Sequence, residues 1–395
     1  MMSVTNLSTH IIDPDGDVVI VLHDPNHAFA PWNEVGSPQM ASPSSSGTDE
    51  NDKHEGNPHV QSVKSSGDCN QEATREVHRV LVSGKHLALA SSYFKNMLRG
   101  TWKETTSHLA TGPMEIAAEG WDLEALLIVL QVLHCQNSQI PRKLSLEMIA
   151  KIAVVADYYQ CKEALGFFSQ TWLDSLEQEP PSTYCRDLLL WIWISWFFGR
   201  QSQFRQTTSA AASRSTSPVD SLGLPIPGAI IALINEKRTT AIANILQQLH
   251  SKLDRLLGST SCTFECSSIM YGALSTRMHL SGLLYPRPVA PFLGISHEEL
   301  VQQVLSFEPP VWWSAPPRYG DRPHKCSQSS SKPLVGNSDT VISGLDLSKM
   351  VSALWPSDET IPAIYTPLGF STLSSNTMPK GSNTWIEHRM PSMVV

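Results

Sequence analysis

Charge is scarce in this chain. Charged residues make up 17% of its 395 positions, against about 25% in ordinary globular proteins. Serine and proline take much of the remaining room, which points to ordered parts separated by polar, weakly charged stretches. The formal net charge is −8, and no basic run of nuclear-localisation type occurs. Such a chain is poorly equipped to displace counterions from a phosphate backbone, so direct nucleic-acid binding is not expected. Long apolar runs are missing too. The most apolar stretch, 188–198 (LLLWIWISWFF), has eleven residues. As a helix it would span about 16 Å, short of the roughly 20 residues a bilayer needs. A buried helix is expected there and no membrane span.

Cysteine is sparse: seven residues, an odd number, widely spaced. A secreted disulfide framework favours an even count in a short chain. The opening MMSVTNLSTHIIDPDGD lacks the basic start and apolar core of a secretory signal. The reading is an intracellular protein with reduced thiols, in cytoplasm or nucleus. Catalytic motifs are absent as well. There is no G-x-S-x-G, no protease-type cysteine signature, no G-x-G-x-x-G and no Walker loop. His297-Glu298-Glu299 lacks the second histidine of a zincin helix. No catalytic or cofactor-binding residue is assigned, and no enzyme is expected. One metal-ligand set stands out. Cys262-Thr-Phe-Glu-Cys266 offers two thiols one helical turn apart, and His324-Lys-Cys326 follows later. Two cysteines, a histidine and a further cysteine would suit a structural zinc. The C-x3-C spacing is within range, whereas H-x-C is an unusual second half. Inert, buried thiols are the reading adopted, with no metal assigned and the zinc set kept as the alternative.

Along the chain, residues 1–12 are weakly patterned. Asp13-Pro-Asp-Gly16 signals a turn into a first strand at 17–22 (DVVIVL). Residues 33–76 are rich in Ser, Gly, Asn and Pro without apolar periodicity. They cannot bury enough surface to offset their ordering entropy, so they read as a disordered insertion between two paired strands. A second strand covers about 77–82. Leu87, Ala90, Phe94 and Leu98 then recur at helical spacing, with Gly100 as a stop. Leu87, Leu89, Phe94 and Leu98 are expected in the core. Ser145 is an N-cap candidate ahead of the stripe Met148, Ile149, Ile152, Val155, Ala156 and Tyr159. Pro180-Pro181 closes the segment, because proline cannot extend a helix. Residues 184–305 read as helical, with 200–220 as a loose Ser/Thr/Gln-rich loop. A long helix follows Pro227 and carries Ile242, Ile245, Leu246, Leu249, Leu253 and Leu256 on one face up to Gly258. Further helical segments are expected at about 264–284 and 297–306. The tail from 327 to 395 reads as disordered, apart from a short element near 342–354.

The ordered set of motifs resembles a BTB/POZ domain, most closely the fungal BTB proteins with a helical C-terminal extension. The apolar strand Val80-Leu-Val82 leads into Leu87-Ala-Leu-Ala-Ser91-Ser-Tyr93-Phe94, which fits the family's Leu-x-x-x-Ser-x-x-Phe. Trp102-Lys103-Glu104, the strand Met114-Glu115-Ile116, the helix 121–134 (WDLEALLIVLQVLH) and Ala156-Asp157-Tyr158-Tyr159 follow in order. The resemblance implies an α+β BTB/POZ domain over residues 13–178, a small sheet flanked by helices, followed by an all-helical domain at 184–305. It also implies a protein–protein interaction adaptor rather than a catalyst. In cullin-binding members an apolar-x-Glu motif follows the Leu-x-x-x-Ser helix, so the resemblance places a cullin contact at Trp102 and Glu104. Other members recruit nuclear transcriptional co-regulators, and Asp17 with Lys85 and His86 would form the charged pocket used there. Ser83 stands where relatives often have histidine. Dimeric relatives begin with a helix exchanged between partners, and residues 1–12 scarcely provide one. A homo-oligomer therefore remains open, while a swapped dimer is not expected.

Overall fold

The computed structural model describes residues 6–32, 76–99, 112–258, 262–313, 324 and 341–354. Four strands form one sheet: β1 (Asn6–Ile11), β2 (Val18–His23), β3 (Glu76–Val82) and β4 (Met114–Glu119), in the order β1-β3-β2-β4. β2 and β3 pair antiparallel, as expected of strands flanking an insertion. The insertion read at 33–76 otherwise lies outside the described residues; Glu76 itself opens β3. β4 runs parallel to β2.

The expected first strand is in fact the second. Residues 6–11 add β1 in parallel register to β3, from Asn6 opposite Glu76 to Ile11 opposite Leu81. Backbone pairing with a preformed edge supplies what side-chain patterning does not signal. The connection turns tightly at Asp13–Gly16, where Gly16 N–H donates to Asp13 O at 3.0 Å. A Cβ at Gly16 would come within 2.7 Å of Val82 O, so the turn needs glycine there.

One sheet face, with Val18, Ile20, Leu22, Val80, Val82, Ile116 and Ala118, enters the main core. The other carries a small cluster of Val19, Val21 and Val77, with the Arg79–Glu115 ion pair beside it. Helices α1 (Gly84–Ala90) and α2 (Ser92–Leu98) follow β3. They are separate helices, because Ser91 is extended. Its side chain caps α2 by accepting from Phe94 N–H at 3.0 Å, and donates to Tyr159 O at 2.5 Å. Leu87, Phe94 and Leu98 are buried as expected, but Leu89 is 87% exposed. The break at Ser91 confines each stripe to two turns, and Leu89 falls on the outer face of α1.

Asp122 caps α3 (Leu123–Leu133) and Ser145 caps α4 (Leu146–Tyr158). A 3-10 turn (Lys162–Leu165) leads into α5 (Gly166–Asp174). α6 (Arg186–Phe197) is buried on all sides from Leu188 onward and crosses α4, with Trp193 Nε1 donating to Ala150 O at 3.2 Å. The core therefore continues past Pro180-Pro181.

Residues 201–214, expected as part of a loose loop, form helix α7 (Gln201–Arg214). Its polar residues are used by the returning tail. Ser209 Oγ donates to Ile342 O at 2.6 Å, Thr208 Oγ1 accepts from Leu345 N–H at 2.9 Å, and Gln201 and Arg205 reach Asp346. Small side chains at Ala210, Ala211 and Ala212 allow close packing. α8 (Gly228–Gly258) spans two cores. Ile230 and Ile234 join the first, whereas Ile242 to Leu256 join a second core with α9 (Phe264–Leu280) and α10 (His297–Leu305). The short element expected near 342–354 is present: residues 341–354 return to the first core and end in α11 (Leu347–Leu354). Among the described residues no helix is long and apolar enough to cross a membrane.

Candidate functional site

The segment that carries the sequence resemblance places its polar residues around the start of α1. Asp17 Oδ1 accepts from Gly84 N–H at 2.7 Å and so fastens the first turn of that helix to β2. Among the described residues no ion pair joins Asp17 to Lys85 or His86. Lys85 and His86 are exposed, and with Leu89 at i+4 and i+3 they share the outward face of α1. The face combines a cation, an imidazole and an isobutyl group within one helical turn. Trp102 and Glu104 lie outside the described residues.

Beneath this face sits His134, the C-cap of α3. Its Nδ1 donates to Leu130 O at 2.7 Å and its Nε2 accepts from Ser83 N–H at 2.9 Å. Both nitrogens are used only if the ring is neutral, and burial holds its pKa below the ordinary histidine value. The His86 ring lies 5.0 Å away. At Ser83, where relatives often carry histidine, the imidazole thus arrives from α3. Sequence reasoning missed it, because one polar residue closing an apolar helix reads as a boundary.

Two other polar groupings were not anticipated. Ser8 contacts His78 Nδ1, whose Nε2 meets Glu76 Oε1 at 3.1 Å, and His10 lies 3.4 Å from His78. The composition is that of a hydrolytic relay. However, Ser8 sits within a regular parallel strand, not on the sharp turn that presents a nucleophile. The grouping ties β1 to β3. Next, Asp157 of the Ala-Asp-Tyr-Tyr motif lies against the first core. Desolvation pushes its carboxyl up to about 7, and its Oδ1 finds no hydrogen-bond partner. Burial likewise lowers the nearby Lys162 to about 8, and Lys162 Nζ lies 5.4 Å from the Phe197 ring centroid. This pair joins the end of α4 to α6.

The cysteine and histidine candidates do converge. Donor atoms of Cys262, Cys266 and His324 all lie within 4.8 Å of one another. Cys262 Sγ and His324 Nε2 are 3.5 Å apart. Cys326 lies outside the described residues.

Residues 70–170 match the BTB/POZ domain family. No curated protein and no solved structure matches the chain. The matched span runs through β3, α1 to α4 and into α5, and so takes in Ser83, the α1 face, the Ser91 cap and His134. With strand, helix pair, strand and helices in this order around one core, the chain carries a BTB/POZ domain.

Proposed function

We propose that this chain is a non-enzymatic adaptor that binds partner proteins through its BTB/POZ domain. BTB/POZ domains are protein–protein interaction modules, and the match over residues 70–170 is the observation that carries this reading. The partner-facing surface is the Lys85, His86 and Leu89 side of α1. An exposed leucine flanked by basic groups supplies an apolar anchor with charges that fix orientation. Affinity purification of the full chain with mass spectrometry tests the reading. Lys85→Glu together with Leu89→Asp is expected to reduce capture of a partner about tenfold, the scale of losing one hot-spot anchor. An unchanged set of partners, with circular dichroism also unchanged, removes this surface.

Two finer readings build on the same domain. A substrate adaptor for a cullin ubiquitin ligase is supported by Trp102 and Glu104, which occupy the family's apolar-x-Glu position in the sequence. A pull-down with cullin decides it: binding that survives Trp102→Ala with Glu104→Ala discards that contact. The alternative is a nuclear transcriptional co-regulator, which a fluorescent tag confined to the cytoplasm would count against. As for assembly, residues 6–11 pair with β3 of their own chain. That arrangement favours a monomer or an unswapped oligomer, and light scattering separates the two.

A further inference from the structure

We propose that Cys262, Cys266 and His324 are ligands of a structural zinc ion that fastens His324 to the start of α9. The two thiols are set by the helix cap. Thr263 is the extended N-cap residue of α9 and accepts from Cys266 N–H at 3.2 Å. Cys262 precedes the cap and Cys266 lies in the first turn, so the cap turns both sulfurs to one side. Neither cysteine is in a disulfide.

The third ligand comes from 62 residues away. Its backbone N–H donates to Trp312 O at 2.7 Å, and its ring lies on the Trp312 indole at 4.3 Å between centroids. These two contacts fix the imidazole so that Nε2 meets Cys262 Sγ, which is how supporting groups orient a metal-binding histidine. The spacing agrees with a shared ion. Zinc bonds of about 2.3 Å to sulfur and about 2.0–2.1 Å to nitrogen, at the tetrahedral angle, put the two donors about 3.5 Å apart. The observed separation is 3.5 Å. Two thiolates and one imidazole match the ligand preference of zinc rather than of a hard cation. Cys266 is 2% exposed and belongs to the second core, so an ion here would close the end of that core. Binding replaces one proton on each of two thiols, and affinity therefore rises with pH.

The experiment uses the full chain, purified under reducing conditions, loaded with zinc chloride and desalted. Elemental analysis is expected to give about one zinc per chain. Cobalt(II) in its place should show thiolate-to-metal absorption in the near ultraviolet and the intense visible bands of a tetrahedral centre. Cys262 is exposed and His324 half-buried, so Cys262→Ser with His324→Ala leaves the core intact. That variant should fall below about a tenth of an equivalent of zinc, with unchanged circular dichroism. Wild-type protein that retains no zinc overturns the proposal. So does a variant that holds as much zinc as wild type, or a cobalt spectrum without thiolate bands.

Discussion

The first core, from the sheet to the opening turns of α8, and the second, from the rest of α8 to α10, share a helix but are sealed by different means. The first is filled by large apolar side chains such as Phe94, Trp193, Phe197 and Phe204, all fully buried. Among its interior polar groups, Tyr159 O is met by the Ser91 hydroxyl and Ser83 N–H by His134. The junction with the second core rests more on polar contacts: Arg214 of α7 pairs with Glu298 of α10, Gly294 N–H donates to Thr216 O at 2.8 Å, and a buried cation makes four further bonds. Arg238 is 0% exposed and lies on α8 between Ile234 and Ile242. Its Nε donates to Ser215 O at 2.9 Å and Nη1 to Pro291 O at 2.7 Å, while Nη2 reaches Phe292 O at 2.7 Å and Ile295 O at 2.8 Å. Four loop carbonyls thus depend on one side chain. A core filled by many contacts spreads its dependence, whereas a junction made by a few polar contacts concentrates it.

The sharpest way to break this contrast is Arg238→Ala. It strands several carbonyls away from water, and a loss of about 3–5 kcal/mol is expected, as for removal of one buried charged partner. Hydrogen exchange should show α9 and α10 opening while α6 stays protected. Uniform loss across both cores would mean that the two are one cooperative unit. The next largest effect belongs to Gly344→Ala. A methyl group there collides with the Arg205 carbonyl oxygen of α7. Backbone cannot step aside as a flexible side chain does, so about 1–3 kcal/mol of docking should be lost. Exchange confined to residues 341–354 is the expected readout; protection equal to wild type rules out the close approach.

The first core was largely legible in the sequence. The β2–β3 pair, the stripes of α3 and α4 and the Ser145 cap all follow from local patterns, and so does the buried run of α6. What escaped depends on distant partners. α7 looks like a loop because its Ser, Thr and Gln residues bond to a segment 130 or more positions away, as in the Thr208–Leu345 contact, and no local window contains that information. β1 escaped because a parallel edge strand is fixed by its neighbour's backbone. Leu89 was misplaced because its apolar side chain was read as core although it lies off the stripe of Leu87, Ala90, Phe94 and Leu98. At the metal-ligand cluster the donor types were readable, but the meeting of His324 with Cys262 was not. Arg238 left no signal at all, since a single arginine on an apolar stripe reads as surface.

Ser91→Ala tests how far the first core depends on one of these side chains. The substitution removes the α2 cap and the bond to Tyr159 O together. An N-cap contributes about 1–2 kcal/mol, so a loss of that order is expected in urea unfolding, with no change in α9 protection. Ser91→Thr keeps the hydroxyl and should recover part of it. If Ser91→Ala has no effect, the break between α1 and α2 is held by packing alone.

The smallest effect puts the same question through pH. His134 is buried and neutral, with a folded pKa below its ordinary 6.5. Burial is the main cause; His86 lowers it further, while Asp13 and the bonds to Leu130 and Ser83 act in the opposite direction. The unfolded chain therefore binds more protons between the folded pKa and 6.5. Stability from the neutral ring is fully present above 6.5 and is lost as pH falls towards the folded value. Protonation also turns Nε2 into a donor facing the Ser83 N–H. A decline in stability is expected as pH falls below 6.5. His134→Gln removes the titration and should flatten the slope in that window. The Asp157 carboxyl, raised to about 7, works in the opposite direction: its contribution is present at low pH and is lost as pH rises through the raised value. The slope difference between wild type and His134→Gln isolates the histidine from this opposing group. An unchanged slope would show that the Ser83–His134 contact does not couple to folding.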